Sequence, residues 1–157
     1  MALGFDNFDL DEIATALQDQ SDYDRCYLVD PRTGKIEFWT RDGGIDGETP
    51  VDLDKLDLIL IEPLPSRVWY RDMEDFATGI SDERAGRRLM RAIQGRGAFR
   101  RFRAELYEEY PELLSAWHSL HDVRAKRRAV QWLLDNSLVD LETADGFMAE
   151  HPDPDLP

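Results

Sequence analysis

Apolar residues recur along this chain with two different periods, and the change falls near residue 65. Within Asp9 to Gln18, residues Leu10, Ile13, Ala14 and Leu17 share one face of a predicted helix, with Asp9 or Asp11 placed to cap or favour its start. A hairpin signal follows. Cys26-Tyr27-Leu28-Val29 is apolar and β-prone, Pro31-Arg32-Thr33-Gly34 is a turn, and Ile36-Glu37-Phe38-Trp39 resumes the strand. Residues 42–50 hold three glycines among acids and read as a loop. Leu58-Ile59-Leu60-Ile61 reads as a buried strand ended by Pro63 and Pro65, which have no N–H for a ladder.

From Ser66 the spacing becomes helical. Trp69, Met73, Phe76 and Ile80 form one stripe, and Ser81 is placed to cap a second helix with Ala85, Leu89, Ala92 and Ile93 on its inner face. Gly95-Arg96-Gly97 breaks that helix. A third turns Phe99, Phe102 and Leu106 inward up to Pro111; Leu114, Trp117 and Leu120 follow, and Asp122 is placed to cap a last helix through Val130, Leu133 and Leu134. The predicted fold is α+β: an N-terminal helix with a small antiparallel sheet, then a C-terminal half of four to five helices. Residues 1–150 read as one domain, sheet-rich over 1–65 and helical over 66–150, with 151–157 as a flexible tail.

With 157 residues, 42% hydrophobic and 33% charged, the chain can bury a core without covalent staples. The single cysteine, Cys26, cannot form an internal disulfide. The first eleven residues show neither a basic segment nor a long apolar one, and no window nears the ~18 apolar residues of a membrane span. A cytoplasmic protein is expected.

Charge sharpens this picture. The net charge is −14, which opposes non-specific binding to nucleic acid or to an anionic membrane. Its distribution is uneven: −11 over residues 1–66, +4 over 67–128 and −7 over 129–157, and within 84–103 stand eight arginines and no acid. Arg84, Arg87, Arg88 and Arg91 fall at i, i+3, i+4 and i+7 on one helical face, where like charges repel by a few tenths of a kcal/mol per pair. Three readings are open: neutralisation by the chain's own acids, a solvated face without a partner, and an external anion. Gly95 and Gly97 offer a tight turn into a helix start, flanked by Arg96, Arg100 and Arg101, which suits a phosphate or carboxylate; a helix corner needing glycine for geometry explains the same residues. Arg124, Lys126, Arg127 and Arg128 form a second basic cluster able to extend this surface if the helices pack antiparallel.

The run Ala92-Ile93-x-Gly95-x-Gly97-Ala98-Phe99-Arg100-Arg101-Phe102 resembles the signature of uncharacterised protein family 0158, a group of small bacterial proteins. Met73-Glu74-Asp75-Phe76, Tyr27-Leu28-x-Asp30 followed by Thr33-Gly34, and Trp117 also match, so that the resemblance runs from about Leu10 to Leu134. It implies no activity and supplies no catalytic residues; residues 42–50 and the proline-rich tail lie outside it.

Other chemistry has thinner support. His118 and His121 sit at i, i+3 with Asp122 nearby, short of the three or four ligands a zinc site needs. The glycines follow a helix rather than a strand and lack Gly-Lys-Ser/Thr, so neither nucleotide fingerprint applies. Among aromatics, Trp39 and Tyr70 look the least securely buried, a slender basis for base stacking. No catalytic residue, metal or cofactor is expected. The leading expectation is a binding or regulatory module whose arginine surface, Arg84 to Arg103 with its glycine corner, engages an acidic protein or a phosphate-bearing partner. The alternatives are an RNA-binding protein and an enzyme acting on a phosphorylated small molecule.

Overall fold

A computed structural model describes residues 4–19 and 25–157. The first three residues, part of the stretch read for a targeting signal, lie outside that description. The chain groups into two units, Met1–Leu64 with Ala125–His151, and Pro65–Arg124 with Pro152–Pro157.

The first unit opens with helix α1 (Leu10–Gln18), where Asp9 accepts from the Glu12 N–H at 3.1 Å and Ile13, Ala14, Ala16 and Leu17 are buried. Strands β1 (Arg25–Val29), β2 (Ile36–Thr40) and β3 (Ile59–Ile61) form an antiparallel sheet in the order β2-β1-β3. Tyr27 stands opposite Phe38 on one side and Ile61 on the other. The turn between β1 and β2 is closed by Asp30, whose carbonyl accepts from Gly34 at 2.7 Å and whose carboxylate forks onto Arg32. Trp39, which its sequence context left least securely buried, is 6% exposed, its indole N–H donating to the Val51 carbonyl at 2.8 Å.

Helix α5 (Leu114–Asp135) supplies its second half to this unit, and α6 (Leu141–Glu150) completes it. The expected break at Asp122 does not occur, because Asp122 lies within a continuous helix. The stop comes at Ser137, a non-glycine residue with φ 58°. There the Leu138 N–H reaches the Leu133 carbonyl at 2.8 Å and the Ser137 N–H reaches Leu134 at 3.0 Å, the paired bonds of a left-handed C-terminal cap. Asp140 then caps α6 by accepting from Thr143 at 2.7 Å.

In the second unit α2 (Ser66–Gly79), α3 (Glu83–Ala92) and α4 (Ala98–Glu109) enclose a core that includes Met73, Phe76, Leu89, Ile93, Phe102 and Leu106. Phe76, Phe102 and Trp117 meet edge to face, with the closest ring centroids 4.8 Å apart. The cap of α3 is Asp82, not Ser81: its carboxylate accepts from Ala85 at 3.0 Å, a stronger acceptor one residue nearer the helix. Residues 152–157 contact Arg124 and the Ser81 N–H, both in the same unit. No helix among the described residues is long and apolar enough to cross a membrane.

Gly86 marks a close approach of α3 to α2, since a Cβ there would lie 2.6 Å from the Ala77 carbonyl oxygen. Glycine-to-alanine exchange inside a helix ordinarily stabilises by about 1 kcal/mol. Gly86→Ala should instead destabilise by about 1–3 kcal/mol through overpacking against backbone, whereas Gly146→Ala in α6, with open space around it, should stabilise by up to about 1 kcal/mol. Urea unfolding midpoints for the two variants check both signs.

Candidate functional site

The arginines of 84–103 divide into two groups according to what the fold asks of them. Arg88 is tied to the packing of α3 on α4. It is half-buried between α3 and α4, donates to Glu105 Oε1 at 3.3 Å, lies 3.6 Å from Glu109 and covers the Tyr110 ring at 5.7 Å. Desolvation works against its charge, but Glu105, Tyr110 and Glu109 outweigh that effect and leave its pKa above the ordinary guanidinium value.

Arg101 is also committed inside the fold. The last carbonyls of a helix have no partner within it, and α3 ends in a sharp corner. Gly95 and Gly97 make that corner with φ of 77° and 73°, values a side chain rarely tolerates. Arg101 reaches back across it, its Nε donating to the Ala92 carbonyl at 2.7 Å and its Nη2 to the Gln94 carbonyl. Tyr70 donates to the carbonyl between them, Ile93, at 2.9 Å. The second aromatic considered for stacking is therefore tied to the corner. The glycines serve its geometry, and Arg101 serves its hydrogen bonding.

The remaining arginines have no such employment. Arg84, Arg87, Arg91, Arg96, Arg100 and Arg103 are exposed. Arg87 has Glu83 at 3.9 Å with both side chains well solvated, a pair worth little. For Arg84, Arg91, Arg96, Arg100 and Arg103, no carboxylate among the described residues comes within 4.0 Å. The order of charge in α4 is also unfavourable to the helix. Arg100 stands in its first turn, which contains no acid, while Glu108 and Glu109 stand in its last, opposite to what the helix dipole favours. An open depression of about 470 Å³ between α3 and α4 is lined by Arg88, Arg91 and Arg101 and equally by Glu105, Glu108 and Glu109. Its mixed lining suits a free anion poorly, which leaves the outer face of α3 and the corner as the cationic surface.

In the second basic cluster, Arg124 is committed to carboxylates of its own unit. Arg124 Nη1 lies 3.0 Å from Asp72 and 2.7 Å from Asp75, and Nε and Nη2 fork onto Asp153 at 3.1 and 2.9 Å. These carboxylates raise its pKa well above the ordinary value despite burial. Lys126 has Asp11 at 3.7 Å, and Arg127 contacts Met148. Sequence spacing displayed four cations on one helix but carried no sign of the aspartates that meet Arg124 and Lys126. His121 lies against the rings of Trp69 and Trp117, and no group of three metal-ligating side chains occurs among the described residues.

Two substitutions separate the groups by the sign of their effect on stability. Arg101→Ala leaves the Ala92 and Gln94 carbonyls without their charged donor and should cost about 1.5–3 kcal/mol. Arg100→Glu places an acid in the first turn of α4 and should stabilise by about 0.3–1 kcal/mol. Urea unfolding followed by circular dichroism measures both.

A family model for the uncharacterised protein family UPF0158 matches residues 7–150. The UPF0158 protein of Pseudomonas aeruginosa is 34% identical over 137 residues, covering 83% of each chain. No solved structure matches. The family match spans α1 to α6, including the glycine corner and all eight arginines between Arg84 and Arg103, and this chain belongs to UPF0158.

Proposed function

We propose that this chain is a binding module that docks an acidic segment of a partner protein on the arginine surface of α3 and α4. The observation that carries this reading is a contrast within one molecule. The chain holds 33 acids against 19 basic residues, and it surrounds Arg124 with three carboxylates and Arg88 with two. Yet Arg84, Arg91, Arg96, Arg100 and Arg103 stand exposed without one within 4.0 Å among the described residues. Arg84 and Arg91 repel their neighbours along α3, and Arg100 opposes the dipole of α4, so local stability does not account for them.

An acidic protein segment fits better than a long polyanion. The unit bearing the surface has 11 basic and 12 acidic side chains and is close to neutral, while the other has 8 and 21. A short acidic segment meets the local cations. An extended nucleic acid also meets the surrounding negative field. Single-stranded RNA is nevertheless a second reading, supported by Phe99, which the periodicity turns inward, and Tyr107; they are 39% and 54% exposed and each lies about one helical turn from Arg103.

Fluorescence anisotropy with a labelled Asp/Glu-rich peptide of about twelve residues, and with a single-stranded RNA of similar length, tests both at about 50 and about 300 mM salt. The peptide should bind at low salt and weaken at least about tenfold at high salt. Arg91→Glu/Arg96→Glu should abolish its binding, while Arg67→Glu/Arg71→Glu on α2, equal in net charge, should not. Equal losses from the two pairs would show a response to overall charge alone and refute the proposal; tighter binding of the RNA would favour the second reading.

A further inference from the structure

The segment after α6 makes contacts of the kind expected of a bound peptide. Residues 152–157, Pro-Asp-Pro-Asp-Leu-Pro, have no regular secondary structure and meet the second unit through three different anchors. Asp153 receives the fork of Arg124, with contacts of 3.1 and 2.9 Å. Leu156 packs against the α2–α4 core over Gly79, where a Cβ would come within 2.7 Å of Leu156 Cδ1. The Pro157 carbonyl accepts from the Ser81 N–H at 2.7 Å.

The receiving surface does not depend on this segment for its own order. Asp72, fully buried, and Asp75 hold Arg124 from α2 at 3.0 and 2.7 Å, so the guanidinium is oriented before the tail aspartate reaches it. The leucine notch exists because Gly79 has no side chain, and the Ser81 N–H is available because Asp82 rather than Ser81 begins α3. The tail has the character of a docking peptide. Three prolines fix its φ angles and lower the entropy that a segment of this composition loses on docking, whichever chain supplies it.

We propose that this surface is a peptide-docking site for an extended Asp-x-x-Leu-Pro segment of a partner protein, occupied here by the chain's own residues 153–157. Aspartate is read by Arg124, leucine by the notch at Gly79 and the backbone by Ser81. The cis segment acts as a competitor at an effective concentration on the order of millimolar, so a partner engages by exceeding it or by adding contacts of its own. This site is distinct from the arginine surface, and neither reading rests on the other.

The test uses the full chain carrying Asp153→Asn and Leu156→Ser, which weakens the resident segment, and a labelled peptide of sequence His-Pro-Asp-Pro-Asp-Leu-Pro. The peptide should bind this variant at least about tenfold more tightly than the unmodified chain, and a peptide with Asn and Ser at the same two positions should not bind. Absence of binding to a folded variant, or equal binding of the two peptides, would overturn the proposal. Should the variant fail to fold, the isotopically labelled unmodified chain with about 5 mM unlabelled peptide provides a second readout. The amide resonances of Asp155 and Leu156 should then move to random-coil positions while that of Ser81 stays shifted; unchanged tail resonances would count against the site. A concentration-dependent dimer that excess peptide does not dissociate would also overturn it.

Discussion

Turning a chain from one helix into the next leaves carbonyl groups pointing at nothing, and the second unit is organised around meeting that demand. The carbonyls of Ala92, Ile93 and Gln94 follow one another at the end of α3, and each accepts from a side chain: Arg101, Tyr70 and Arg101 again. Tyr70 comes from α2 and Arg101 from α4, so the same three bonds that satisfy the corner tie three helices together. With those bonds in place, Phe102 and Leu106 face inward beside Phe76, and Arg100 and Arg103 are left on the outside. The cationic surface is therefore a product of the corner, with Arg101 spent to display its neighbours.

Much of the architecture was legible in the sequence because it rests on periodicity. The β-prone runs holding Leu28 and Trp39, the turn at Gly34 and the 3.6-residue stripe from Trp69 to Ile80 match elements and buried positions of the structure, although Phe38 in the second run is exposed. The end of α5 and the whole of α6 were not legible. Helix ends are read from glycine and proline, and this one turns on Ser137 in a left-handed conformation that serine seldom adopts. Asp122 offered a false start because a capping residue is equally at home on the solvated side of a long helix.

The arginines illustrate the same limit at the level of chemistry. Their helical spacing established that Arg84, Arg87, Arg88 and Arg91 share a face, but it could not reveal that Arg88 lies near enough to α4 to meet Glu105 and Glu109. Nor could it show Arg124 gathering Asp72, Asp75 and Asp153, partners up to 52 residues away in sequence. Spacing reports neighbours along one helix; partners across the fold require the fold. Arg88 and Arg124 are structural cations, whereas Arg84, Arg91, Arg96 and Arg100 make no such contribution to the fold.

The reversed order of charge along α4 has a consequence for how the molecule responds to its ionic surroundings. Counterions shield the Arg100 side chain from the positive end of the helix and the Glu108 side chain from the negative end, relieving two penalties. The same shielding weakens any attraction between the exposed guanidinium groups and an approaching anion. For this helix dilute buffer is the harsher condition, and it is also the one in which a distant acid is felt most strongly.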